Sequence, residues 1–145
     1  MQDKINEAFD KTQKLLKEKN DDIGQLPESV ATFLLVYASQ GVIDNGGYRY
    51  FFESNWPQAP TYSRFVDAYS AIGCEAQAAT LARVVETFPF ENPHLDEDGR
   101  NAYVAANYDE DTCEVKGWGD ALCGDESVWV KLEAFYTEHI SDFES

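Results

Sequence analysis

Apolar residues recur three and four positions apart along most of this chain and never alternate strictly over a run, so the pattern predicts helices and no strand. From residue 2 to 19, Ile5, Ala8, Phe9, Thr12, Leu15 and Leu16 share one helical face, while Glu7 and Lys11, then Asp10 and Lys14, stand at i,i+4 spacing. The run Asn20-Asp21-Asp22-Ile23-Gly24 ends that helix. A second starts at Pro27 with Glu28 in its first turn, and its face of Val30, Phe33, Leu34, Tyr37 and Ala38 is apolar enough to be central. Gly41 is expected to stop or kink it. Val42 to Phe52 then forms a short helix through the Gly46-Gly47 pair, a junction that delivers Tyr48, Tyr50, Phe51 and Phe52 to the core.

Beyond the loop Trp56-Pro57-Gln58-Ala59-Pro60, a helix starting at Thr61 carries a stripe of Tyr62, Phe65, Val66, Tyr69 and Ile72. Gly73 suits the left-handed position after its end. Residues 75–88 form its hairpin partner, with Ala78, Leu81, Val84, Val85 and Phe88 inward. After the proline loop of residues 88–94, a helix over 99–108 is expected around Ala102, Tyr103, Ala106 and Tyr108, then short turns or a short helix over 109–124 around Trp118 and Leu122. The last helix is capped by Asp125 or Ser127 and shows Val128, Leu132, Phe135, Tyr136, His139, Ile140 and Phe143 at helical spacing.

A chain of 145 residues fits one core and needs no metal or disulfide to hold it. The expected architecture is a single all-α domain over 1–145, with an amphipathic N-terminal helix in 1–24 and a helical core in 25–145. Charge changes the picture. The net charge is −16, yet 43% of residues are hydrophobic and 14% aromatic, which argues for a folded domain with an acidic surface. Residues 91–145 hold fifteen acids against three bases, a net of −12. Such a field repels nucleic acid and anionic membrane and attracts a basic protein. There is no apolar leader and no uncharged run near the ~20 residues a membrane span requires, so a cytoplasmic location is expected.

Motifs for chemistry are weak. Cys74, Cys113 and Cys123 have neither CxxC spacing nor an even count. Asp96-Glu97-Asp98-Gly99 resembles part of a calcium loop, but placing Gly99 at position six puts His94 and Ala105 where carboxylates are needed. With only His94 and His139 as imidazoles, no metal and no cofactor is expected. No spacing singles out a catalytic carboxylate pair, and no phosphate loop is present, so the chain is expected not to be an enzyme.

Taken alone, the acidic excess is first of all a device for solubility, and it also suits a protein that competes with DNA: at one charge per about 1.7 Å of duplex axis, −16 matches roughly 27 Å of DNA. Asn45-Gly46-Gly47-Tyr48 with Tyr50-Phe51-Phe52 and Asn55, the ending Ala71-Ile72-Gly73, the run Ala79-Thr80-Leu81-Ala82-Arg83 to Phe88-Pro89, and the helix Trp129 to Tyr136 carry a family resemblance. From about Val42 to Phe143 the chain resembles the bacterial DNA-mimic protein family, small all-helical acidic proteins formerly grouped as a domain of unknown function. The resemblance implies an α-helical homodimer that presents acids in place of phosphates to the DNA-reading surface of a helix-turn-helix transcriptional regulator. The acids expected to face that partner are Asp96, Glu97, Asp98, Asp109, Glu110, Asp111, Glu114, Asp120, Asp125 and Glu126. Asn45, Gly46, Gly47, Tyr48, Phe51 and Phe52 are read as structural: Asn45 as a cap, the glycines for close helix approach, the aromatics as core. Two other readings stand beside this one. An immunity or antitoxin-type protein would use the same acids with an aromatic centre at Trp56, Trp118 or Trp129, and a small carboxylate-dependent enzyme would need two acids converging in a cleft.

Overall fold

The computed structural model describes residues 2–56, 58–107 and 125–144. Among them are six α-helices and three short 3-10 turns, and no strand. They are α1 (Gln2–Glu18), α2 (Glu28–Glu53), α3 (Tyr62–Ala71), α4 (Glu75–Glu86), α5 (Glu97–Asn107) and α6 (Glu126–Glu138). The turns are Ile23–Gln25, Pro93–Leu95 and Ile140–Phe143. No helix among the described residues is long and apolar enough to cross a membrane.

The centre is α2, which touches α1, α3, α5 and α6. It is buried on more than the expected face: Leu35, Val36, Ser39 and Gln40 are covered as well as Val30 and Phe33. Two glycine readings need correction. Gly41 does not stop the helix, and the Gly46-Gly47 pair does not separate two helices. The 26 residues of α2 instead run on through Gly47, which sits at φ +69 inside the helix. Only glycine takes that backbone cheaply, and Tyr48, Phe51 and Phe52 follow it into the core. Phe51 and Phe52 pack edge-on against Phe65, Tyr62 and Phe88 at centroid separations of 4.9 to 5.2 Å.

On one flank, α1 buries Ile5, Ala8, Thr12 and Leu15, and the Thr12 hydroxyl donates to the Ala8 carbonyl. Of its expected charge pairs, Glu7–Lys11 closes at 3.9 Å, whereas Lys11 lies closer to Glu144, at 2.6 Å. Among the described residues no Asp10–Lys14 pair closes. On another flank, α3 and α4 form the hairpin. Gly73 at φ +94 donates to the Ser70 carbonyl and Cys74 to that of Tyr69, which satisfies the last orphan acceptors of α3. Ala78, Leu81 and Val84 are buried from α4.

The inward face of α5 differs from the pattern's expectation. Arg100 and Val104 are buried and Tyr103 half-buried, while Ala102 and Ala106 are exposed; Tyr108 lies outside the described residues. The helix is rotated because Arg100, not an alanine, is the residue α2 needs there. Val128, Leu132, Phe135 and Tyr136 are buried from α6. Its end tightens into the Ile140–Phe143 turn, so Phe143 reaches the core while Ile140 stays exposed.

Candidate functional site

Of the ten acids expected to face a partner, the five among the described residues stand at two helix starts. Asp96 precedes α5, and its carboxylate accepts from the Gly99 amide at 2.8 Å, leaving Glu97 and Asp98 exposed in the first turn. A Cβ on Gly99 would lie 2.6 Å from the Asp96 carboxylate, so the Asp-x-x-Gly spacing read above as a broken calcium loop builds a cap. Asp125 caps α6 by accepting from the Ser127 amide at 3.0 Å, and Gln77 donates to its other oxygen at 3.1 Å. Partial burial works against its charge, but the hydrogen bonds from Ser127 and Gln77 outweigh that and hold the carboxyl below its ordinary value. Glu126 follows, exposed. Asp96 and Asp125 therefore each have a structural task. Asp109, Glu110, Asp111, Glu114 and Asp120 lie outside the described residues, as does Trp118.

Both helix starts are fastened to α2. Arg100 is 2% exposed, and its guanidinium donates to the Phe52 carbonyl at 2.9 Å, the Pro93 carbonyl at 2.7 Å and Asn55 Oδ1 at 2.6 Å. No carboxylate among the described residues lies within 4 Å of it; the cation sits instead at the negative, carbonyl end of α2. Its charge partly offsets the effect of burial on the nearby Tyr62 phenol, which is pushed up to about 12. Farther up α2, Asp44 accepts from Trp129 Nε1 of α6 at 2.9 Å and from Gln40 at 2.7 Å. Gln40 in turn accepts from Tyr69 of α3 at 2.9 Å, and burial keeps that phenol neutral. The two fastening points, Asp44 and Phe52, are about 12 Å apart along the helix.

Asn45 is not a cap. It lies within α2, donates to the Gly41 carbonyl at 2.8 Å and is exposed. Beside it, a groove of about 410 Å³ opens between α1, α2 and α6, with Ile5, Tyr37, Val42 and Trp129 as apolar lining and Glu126 as its carboxylate. The surface continues along α2 past Val42 and Asn45 to Tyr50, Glu53 and Ser54. Sequence reading had named Glu126 and Trp129 separately and missed that they share a wall. It missed Arg100 and Asp44 altogether.

Two carboxylates do share a cleft elsewhere. Glu28 and Asp67 line a cleft of about 120 Å³ with Arg64 between them in sequence. That is well below the roughly 300 Å³ at which small-molecule sites begin. No group of three or more metal-ligating side chains occurs among the described residues.

Searches of curated proteins and of solved structures find no significant match to the chain. A family model does match, over residues 24–140, which takes in α2 to α6 and both fastening points and leaves α1 outside. With most of its length so matched, this chain belongs to the DMP19-like protein family.

Proposed function

We propose that this chain is an acidic DNA mimic, which occupies the DNA-reading surface of a helix-turn-helix transcriptional regulator and so prevents it from binding DNA. The observation that carries the reading is the placement of Glu97, Asp98 and Glu126. They are exposed at the first turns of two helices locked to α2, and no lysine or arginine among the described residues lies within 4 Å of them. A partner's basic residues meet fixed, uncompensated carboxylates, much as they meet phosphates on a duplex. The family resemblance adds a homodimer, to be checked by light scattering in solution.

The experiment separates placement from charge. Glu97→Gln, Asp98→Asn and Glu126→Gln are combined with Ser63→Glu, Ala76→Glu and Ala79→Glu, three exposed positions elsewhere, so that the net charge stays at −16. Proteins retained from lysate at low salt by the parent chain are identified and challenged with duplex DNA. The reading expects a DNA-binding regulator that duplex displaces, that salt releases steeply, and that the rearranged variant fails to hold. Equal retention by the rearranged variant, or a partner indifferent to DNA, would count against it. The second outcome would favour an immunity-type protein, a reading to which the Trp129 groove also lends a localised centre.

A further inference from the structure

We propose that the groove between α1, α2 and α6 is the seat of an arginine projecting from a basic helix of the partner, an inference that rests on the binding function above and deepens it. The lining matches that side chain along its length. Tyr37, Val42 and Trp129 offer apolar and aromatic surface to the stem, Glu126 supplies a carboxylate as counter-charge to a guanidinium, and among the described residues no lysine or arginine lines the groove. The aromatic wall is set in advance. Asp44 holds the Trp129 indole N–H at 2.9 Å, and Tyr37 meets the same ring at 84° and 5.9 Å. A carboxylate on the indole N–H leaves the ring face more attractive to a cation.

Gly41 supplies an independent argument. A glycine in mid-helix weakens α2 relative to alanine, and packing gives no reason for it, because no described atom lies within 4 Å of an added Cβ. Its effect is to keep the groove open, since Gly41 is part of the lining. From Tyr37 to Ser54 the surface strip follows α2 for about 25 Å, the length of a helix of some 17 residues.

The test uses the full chain and two synthetic 17-residue alanine-rich helical peptides with lysines on one face. One has a single central arginine, the other citrulline, which keeps the shape and removes the charge. At low salt the arginine peptide is expected to bind about tenfold more tightly, the combined effect of a counter-charge and an aromatic face. Glu126→Gln and Gly41→Leu should each erase that preference, and Gly41→Leu should melt no lower than the parent. Equal binding of the two peptides, or a preference that survives both substitutions, overturns the groove as the seat. In that case, binding that still weakens in Glu97→Gln/Asp98→Asn leaves the acidic-surface reading standing. No binding of either peptide removes both.

Discussion

Replacing Arg100 tests what holds the acidic start of α5 in place. Its guanidinium makes three hydrogen bonds to neutral acceptors at 2.6 to 2.9 Å and is almost wholly buried. Hydrogen bonds from a charged donor contribute about 1.5–3 kcal/mol each, but desolvating the cation costs several kcal/mol, so the bonds cannot simply be summed. Arg100→Met isolates the balance: it refills most of the volume, removes the charge and takes the guanidinium from the Phe52 and Pro93 carbonyls and from Asn55, while the Pro93 carbonyl keeps the Asp96 amide at 3.1 Å. With three charged-donor bonds lost at about 1.5–3 kcal/mol each and several kcal/mol of desolvation recovered, a loss of roughly 2–4 kcal/mol is expected. At about 2–4 °C per kcal/mol for a chain near this size, the melting temperature falls by on the order of 10 °C. Arg100→Lys keeps the charge but loses the fork that reaches three acceptors pointing from different elements, and should recover little of the loss. Circular dichroism melts at matched pH and salt measure both. A methionine variant as stable as the parent would refute the argument, because it would mean that apolar filling suffices and the three bonds fasten nothing.

Two further outcomes follow from backbone and charge. Gly41→Ala and Gly47→Ala change the same residue type in the same helix, yet the first should stabilise by about 0.5–1 kcal/mol, and the second, at φ +69, should destabilise by about 1–2 kcal/mol; denaturant midpoints that shift in one direction for both would contradict the geometry of α2. Asp125→Ala should cost about 1 kcal/mol at neutral pH through the lost cap. Because the folded Asp125 carboxyl is held below its ordinary value of 3.8, its contribution is present above that pH and disappears as pH falls through the lower folded value. The difference between parent and variant unfolding curves should therefore shrink progressively as pH falls below 3.8.

How much of this was legible in the sequence depended on whether a residue acts through periodicity or through one partner. The stripes of α1, α3, α4 and α6 were readable because burial follows the helical period, and Gly73 because a left-handed residue after a helix has few other candidates. Gly41 and Gly47 look alike in a sequence; what separates them is φ, which depends on how the aromatics after Gly47 must enter the core. Arg100 entered the sequence reading only as one of the three bases set against fifteen acids. Yet Arg100, Tyr103, Val104 and Asn107 stand at i, i+3, i+4 and i+7, the face that α5 does turn inward, and treating the arginine as a core residue would have found it. The Asp44–Trp129 bond spans 85 positions, and no local pattern encodes it.

The position of the acids reconciles a net charge of −16 with a stable fold. Glu28, Glu75, Glu97, Asp98 and Glu126 all lie in first turns, where unpaired amides and the helix dipole favour a carboxylate by about 0.3–1 kcal/mol. Mutual repulsion is thereby offset locally, and at Glu97, Asp98 and Glu126 no lysine or arginine among the described residues lies within 4 Å to cancel the outward field. An acidic surface balanced by ion pairs would be as soluble and as stable, but it would show a partner no net charge at short range. At the starts of α5 and α6 the offset comes from amides beneath the carboxylates, so the charge remains visible from outside while the caps at Asp96 and Asp125 fix where it stands. Placement and exposure, which the proposed phosphate mimicry needs together, thus arise from the same few residues.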